Sequence, residues 1–194
     1  MRIGVLALQG DVAEHLRMVE ACGAEAVEVR TAEEMRAVEG LILPGGESTT
    51  IWRLLSRYGL VEPLRERVGR GFPLFATCAG MIIAARSVVG GHPPGLGFVD
   101  IAVERNAYGR QRESFETELT APEVADHPLK VAFIRAPMIV EVGPSVGVLA
   151  AYDGRPVVVR QQRILAASCH AEITGDNRLH RFFVDRMVRA PGSA

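Results

Sequence analysis

The chain opens with a short apolar run, residues 3–8, that stops at Gln9-Gly10. An unbroken apolar run of this length before a turn is the pattern of a strand buried on both faces. Asp11 lies three residues before Glu14, close to a capping box. The helix it would start continues through Leu16, Val19 and Glu20 and closes at Cys22-Gly23. Residues 25–29 are a second candidate strand. A third run, 40–43, ends at Pro44-Gly45-Gly46. Ser48 is placed to cap the next helix, whose Ile51, Leu54, Leu55 and Tyr58 have helical spacing. A fourth run, 72–76, gives way at Thr77-Cys78-Ala79-Gly80 to a buried helix over 81–85.

Strands alternating with helices predict βαβ units and a parallel sheet. The second half changes character. Residues 98–103, 113–119, 130–134, 138–142, 147–152, 156–160 and 164–169 are candidate strands at short spacing, which predicts hairpins added to that sheet. Residues 176–188 form a closing helix with Leu179, Phe182, Phe183 and Met187 on one face. The loop at 90–95 is too short to separate domains. The expected fold is α/β: one domain over 1–194, doubly wound and flavodoxin-like. It has a mostly parallel sheet flanked by helices and extra antiparallel strands in the second half. Such folds bind ligands beyond the carboxyl ends of the strands. The turns after Leu8, Leu43 and Ala76 are therefore the places to look.

Composition narrows the function classes. The 194 residues hold 22 basic and 23 acidic side chains, a net charge of −1. That balance argues against a nucleic-acid partner. All the basic residues are Arg except Lys130. Three Cys do not make a disulfide scaffold and point to a reducing compartment. The N-terminal apolar run is too short for a membrane span and lacks a signal-peptide layout. The expectation is a cytoplasmic protein with no membrane partner.

Cys78 sits where a strand meets a helix, between small residues, Ala76-Thr77-Cys78-Ala79-Gly80. This is the layout of a nucleophile elbow with Cys in place of Ser. A sharp turn brings backbone close to backbone, so bulky flanks would clash. The following helix N-terminus favours a thiolate, and the Ala79 N–H can face an oxyanion. A thiol nucleophile needs a base, and the base needs an orienting group. In an extended segment His170 and Glu172 would share one face, with Cys169 opposite as a spectator. Alone, His-x-Glu reads first as a surface pair; with Cys78 it reads as catalytic. The turn at Gly45-Gly46 lacks the Lys-Ser/Thr ending of a phosphate loop. By itself it reads equally as a tight turn plus an N-cap, or as a close approach to a small neutral or zwitterionic ligand with the Gly46 N–H as second oxyanion donor. No Cys-x-x-Cys or His-x-x-x-His spacing supports a metal site built from Cys78, Cys169, His170 and Glu172.

Strand, glycine turn, Cys elbow and distant His-x-Glu, in this order, resemble the triad (class I) glutamine amidotransferases. Longer stretches narrow the likeness to the glutaminase subunits of pyridoxal 5′-phosphate synthases. They are Leu6-Ala7-Leu8-Gln9-Gly10, Leu43-Pro44-Gly45-Gly46-Glu47-Ser48-Thr49-Thr50, Cys78-Ala79-Gly80-Met81, Arg105-Asn106-Ala107-Tyr108-Gly109-Arg110-Gln111, Ser114-Phe115-Glu116 and Phe133-Ile134-Arg135-Ala136-Pro137. The resemblance implies Cys78 as nucleophile, His170 as base and Glu172 as its partner. It implies Gly46, Glu47, Ser48, Arg105, Ile134 and Arg135 as glutamine-binding positions, with Gly46 and Ala79 at the oxyanion. No cofactor is implied. The implied activity is hydrolysis of L-glutamine, its ammonia passing to a separate synthase (lyase) subunit for vitamin B6 synthesis. The free glutaminase of this family is poorly active, and the Gln9-Gly10 turn is implicated in docking. Two positions depart from the family: Ala171 stands where Pro is usual, and Ala76 where Gly is usual. Two rival readings remain: a peptidase or deglycase-like Cys-elbow hydrolase, and a non-catalytic regulatory subunit.

Overall fold

The structure is a computed structural model that describes residues 1–105 and 114–189. The part of the Arg105–Gln111 motif at 106–111, and Glu113, lie outside the described residues. In chain order the first half is β1 (Arg2–Leu6), α1 (Val12–Ala21), β2 (Glu25–Val29), α2 (Ala32–Arg36), β3 (Gly40–Leu43), α3 (Ser48–Arg57), α4 (Val61–Gly69), β4 (Leu74–Thr77) and α5 (Ala79–Ala84). The second half is mostly strand: β5 (Ala85–Val88), β6 (Val99–Glu104), β7 (Ser114–Leu119), β8 (Leu129–Ile134), β9 (Met138–Val142), β10 (Gly147–Tyr152), β11 (Arg155–Gln161) and β12 (Ile164–Ala167). It closes with α6 (Arg178–Phe182), which continues as a π-helical stretch, Phe183–Val188.

Seven strands form the central sheet in the order β10-β11-β12-β4-β3-β1-β2. Its β2-β1-β3-β4-β12 part is parallel, and β11 and β10 extend it antiparallel. The parallel part has the flavodoxin-like order, whose switch point lies between β1 and β3. The other late strands stand outside this sheet, as β5-β6-β9 and as the antiparallel pair β7-β8.

The apolar runs split between two layers with a period of two. On β3, Leu41 and Leu43 enter one core and Ile42 the other. On β4, Leu74 and Ala76 face one way and Phe75 the other. Burial on both faces is why these strands read as unbroken apolar runs. Each fully buried Leu, Ile or Phe contributes about 1.5–3 kcal/mol, so both faces must be covered. The α1 and α6 residues Val19, Leu179 and Phe182 cover one face. The α3 and α5 residues Ile51, Leu55, Met81 and Ile83 cover the other.

Several local expectations are corrected. Ser48 is the first residue of α3, not its cap; the cap is Glu47, whose side chain accepts from the Thr49 N–H. Asp11 occupies the N-cap position of α1 but makes no capping bond with its side chain. The apolar run at 81–85 is not one helix: α5 starts at Ala79, and Ala85 opens β5. The sequence reading omitted α2, although Thr31 and Glu34 form a full capping box. It also omitted α4, whose Pro63 lies in the first turn, where proline is tolerated. The last helix is α and then π; Arg163 donates to the carbonyls of Met187 and Val188 at its end.

Candidate active site

The register aligns Leu43 with Ala76, and Thr77 with Ala167. The turns after β3, β4 and β12 therefore open at one edge, beside the turn after β1. At that edge Cys78 has φ 45° and ψ −103°. A non-glycine residue in this region carries strain of about 1–3 kcal/mol and persists only when its surroundings fix it. Here the Cys78 N–H donates to the Ala167 carbonyl at 2.8 Å, and the Cys78 carbonyl accepts from the Ile82 N–H at 3.2 Å. The positive φ falls on Cys78 itself, so Ala at 76 is compatible with the elbow. The thiol lies 3.9 Å from the Ile134 carbonyl.

His170 follows β12 and is held by backbone bonds in both directions with Ala132, at 2.8 and 2.9 Å. Glu172 lies in the turn beyond it, not in an extended segment. The turn still brings the pair together: His170 Nδ1 is 2.6 Å from Glu172 Oε1. A second carboxylate reaches the same nitrogen, Asp11 Oδ2 at 2.9 Å. Carboxylates only accept, so Nδ1 carries the proton and Nε2 is left for the thiol. Burial works against charging His170, but bonds to Asp11, the Cys78 thiol and Glu172 outweigh it. The imidazolium is held well above the usual histidine range. Burial also opposes the Asp11 charge, and the His170 bond, with Glu172 and His15 nearby, outweighs it. Its carboxyl is held well below the usual carboxylate range.

Cys169 is fully buried, and burial, followed by the nearby Glu172, pushes its thiol up to about 12. It is a spectator in the core. Behind His170 and Glu172 lies a polar chain that the sequence reading missed. His15 Nε2 is 3.0 Å from Thr77 Oγ1, and His15 Nδ1 is 2.8 Å from His180 Nε2. Burial, and then His15, keep His180 well below its usual range. Among the described residues, metal-type donors converge as His15, Glu172, His180 and as Asp11, His170, Glu172. Neither group contains Cys78 or Cys169.

A cavity of about 290 Å³ opens over Cys78. Gly46, Glu47, Ser48, Ala79, Arg105, Ile134, Arg135 and His170 line it, and Glu172 stands behind His170. Each catalytic or glutamine-binding position expected from the sequence is thus at this edge. Arg105 Nη2 is 3.2 Å from Glu47 Oε1, which places a cation and an anion side by side on the wall. Arg135 is exposed and has φ 43°. Gln9, Asp11, Ile82 and Ile173 also line the cavity and were not singled out as its lining. Gln9 Oε1 accepts from the Glu47 N–H at 2.7 Å. The signal for Gln9 and Asp11 was their place after β1, at the switch point. For His15 and His180 it was a histidine spaced with the apolar residues of a buried helix face.

The charge on His170 carries a pH dependence. Its folded value is raised from about 6.5. The stability it contributes is therefore complete below the unfolded value and is lost as pH rises toward the folded one. Unfolding free energy should fall between about pH 7 and 9 by up to about 1.4 kcal/mol per pH unit more in the parent than in His170→Gln. Denaturant melts at several pH values check this; parallel slopes for the two proteins would contradict it.

Comparisons with known proteins show the family and the fold. The model of the SNO glutamine amidotransferase family matches residues 5–189. Pyridoxal 5′-phosphate synthase subunit PdxT of Geobacillus sp. (strain WCH70) is 54% identical over 190 residues, covering 98% of each chain. The subunit of the same name from Geobacillus thermodenitrificans (strain NG80-2) is 55% identical, over 98% of this chain and 97% of its own. A crystal structure described as a glutamine amidotransferase superposes with a TM-score of 0.89 at 47% identity, covering 94% of this chain and 97% of that one. A structure of PurLQS from Thermotoga maritima superposes at 0.70 over 95% of this chain and 97% of its own; at 14% identity this is a likeness of fold. The chain belongs to the SNO glutamine amidotransferase family.

Proposed function

We propose that this chain is the glutaminase subunit of a pyridoxal 5′-phosphate synthase, a single cytoplasmic domain over 1–194. Among the described residues no helix is long and apolar enough to cross a membrane. All three cysteines are free and buried, which fits a reducing compartment. The observation that carries the reading is the site itself. A strained elbow presents Cys78 to His170, and Glu172 fixes the imidazole from behind.

In the proposed reaction the Cys78 sulfur attacks the side-chain amide carbon of L-glutamine. The C–S bond forms as the carbonyl electrons move to oxygen, where the N–H groups of Gly46 and Ala79 receive the charge. Collapse breaks the C–N bond, and His170 gives its proton to the departing ammonia. Water then attacks the γ-glutamyl thioester, His170 takes up a proton from it, and glutamate leaves with the thiol restored. Glu47 and the forks of Arg105 and Arg135 are assigned to the ammonium and carboxylate ends of the substrate. Planar bidentate donors suit a carboxylate better than a lysine would. The ammonia goes to the synthase subunit.

The test is ammonia release from L-glutamine by the full chain, alone and with a synthase subunit. Release should rise when the subunit is added, with no cleavage of peptides. Peptide cleavage without glutamine turnover would overturn the reading.

A further inference from the structure

Asp11 has a task that the reaction above does not assign. It stands at the N-cap of α1, where an aspartate ordinarily accepts from the helix N–H groups. Its side chain makes no such bond. Instead Oδ2 reaches across to His170 Nδ1 at 2.9 Å, opposite Glu172 Oε1 at 2.6 Å. Two carboxylates therefore converge on one N–H. Neither has its second oxygen hydrogen-bonded: Asp11 Oδ1 and Glu172 Oε2 lack a hydrogen-bond partner among the described residues. Asp11 is also tied to the substrate side. Its N–H donates to the Gly45 carbonyl at 3.4 Å, and Gly10 lies so close that a Cβ there would come within 1.7 Å of that oxygen.

We propose that Asp11 is a positioning residue for the base. It shares the Nδ1 proton of His170 with Glu172, holds the imidazole from the α1 side, and sets how firmly His170 keeps its proton during turnover. This rests on the glutaminase reading above. The other titratable groups around the ring are Cys78 on the elbow, Glu172 and Cys169 on its own segment, and His15 on α1. His15 Nε2 lies 3.8 Å from Asp11 Oδ1 and 3.6 Å from Glu172 Oε1, and His180 on α6 lies behind it. Two carboxylates converge on one imidazole N–H, and removing Asp11's charge lowers the proton affinity of His170. This agrees with the raised His170 and lowered Asp11 values.

The experiment compares the parent with Asp11→Asn, full chain plus synthase subunit, across pH. The alkaline limb of kcat/KM for glutamine should move down by about one pH unit or more. KM should stay within about twofold, because the change acts on the base and not on binding. Nitrogen NMR of His170 in the free full chain reads the same group without needing turnover, and its titration should move down alongside. An unmoved His170 titration in Asp11→Asn overturns the proposal. So does an alkaline limb that stays in place while KM rises. A parent that releases no ammonia contradicts the glutaminase reading alone, because the NMR titration still decides the role of Asp11.

Discussion

Cys78→Ala should lower ammonia release from glutamine by at least about 10⁴-fold in the presence of the synthase subunit. The loss is this large because nothing else at the site can form the thioester. Cys169 is buried in the core with its thiol pushed up to about 12, and Cys22 is buried beside Asn177. Neither lines the cavity. The substitution removes one sulfur from a position fixed by backbone bonds to Ala167 and Ile82, so the elbow itself should survive. It also leaves the outer surface unchanged. Co-elution of Cys78→Ala with the synthase subunit should therefore match the parent. Ammonia release near the parent rate would remove Cys78 from the role assigned to it.

The second large effect is expected at a residue that carries no chemistry. A Cβ on Gly45 would lie 2.4 Å from His170 Cε1 and 3.0 Å from Asp11 Oδ2. Real Cβ contacts do not reach 2.4 Å, so something must move. His170 is pinned on Nδ1 by two carboxylates and on its backbone by Ala132. The Gly45 turn is pinned by its contact with Gly10 and by the Asp11 N–H. Either movement displaces a part of the site, the base or the turn that carries Gly46. A misplacement of about 1 Å at a reacting group costs on the order of 10²-fold. Gly45→Ala should lower kcat by about that factor. Gly69→Ala is the control, since its Cβ meets nothing within 4 Å and its φ is not in the left-handed region. Gly45→Ala with parent activity would show that the imidazole is not held as described.

The parallel core was legible because its strands are buried on both faces and so appear as unbroken apolar runs at 3–8, 40–43 and 72–76. The elbow was legible because a close backbone turn demands small residues around Cys78. The His170–Glu172 pair was found for a reason the fold does not use. The segment turns there, and proximity in sequence, not strand alternation, brings the carboxylate to the ring. Asp11 was misread because an aspartate before a helix has a common local use, capping. Only the tertiary fold shows that α1 starts beside the end of β12. The late strands other than β5 could be located but not assigned to sheets, because pairing between segments separated by loops leaves no local signal. The arginine excess also gains meaning in three dimensions. Arg67 donates to the carbonyls of Met35 and Val38, Arg163 to Met187 and Val188, and Arg178 to His127 and Pro128. A guanidinium fork can bridge two backbone carbonyls in fixed geometry, which a single ammonium does less well.

The central claim is that turnover passes through a γ-glutamyl thioester on Cys78. Acid quenching of the full complex during glutamine turnover, followed by peptide mass spectrometry, tests it directly. The account predicts a γ-glutamyl adduct on the peptide containing Cys78, none on Cys22 or Cys169, and none in Cys78→Ala. Steady ammonia release with Cys78 unmodified throughout, or an adduct on another cysteine, would contradict it.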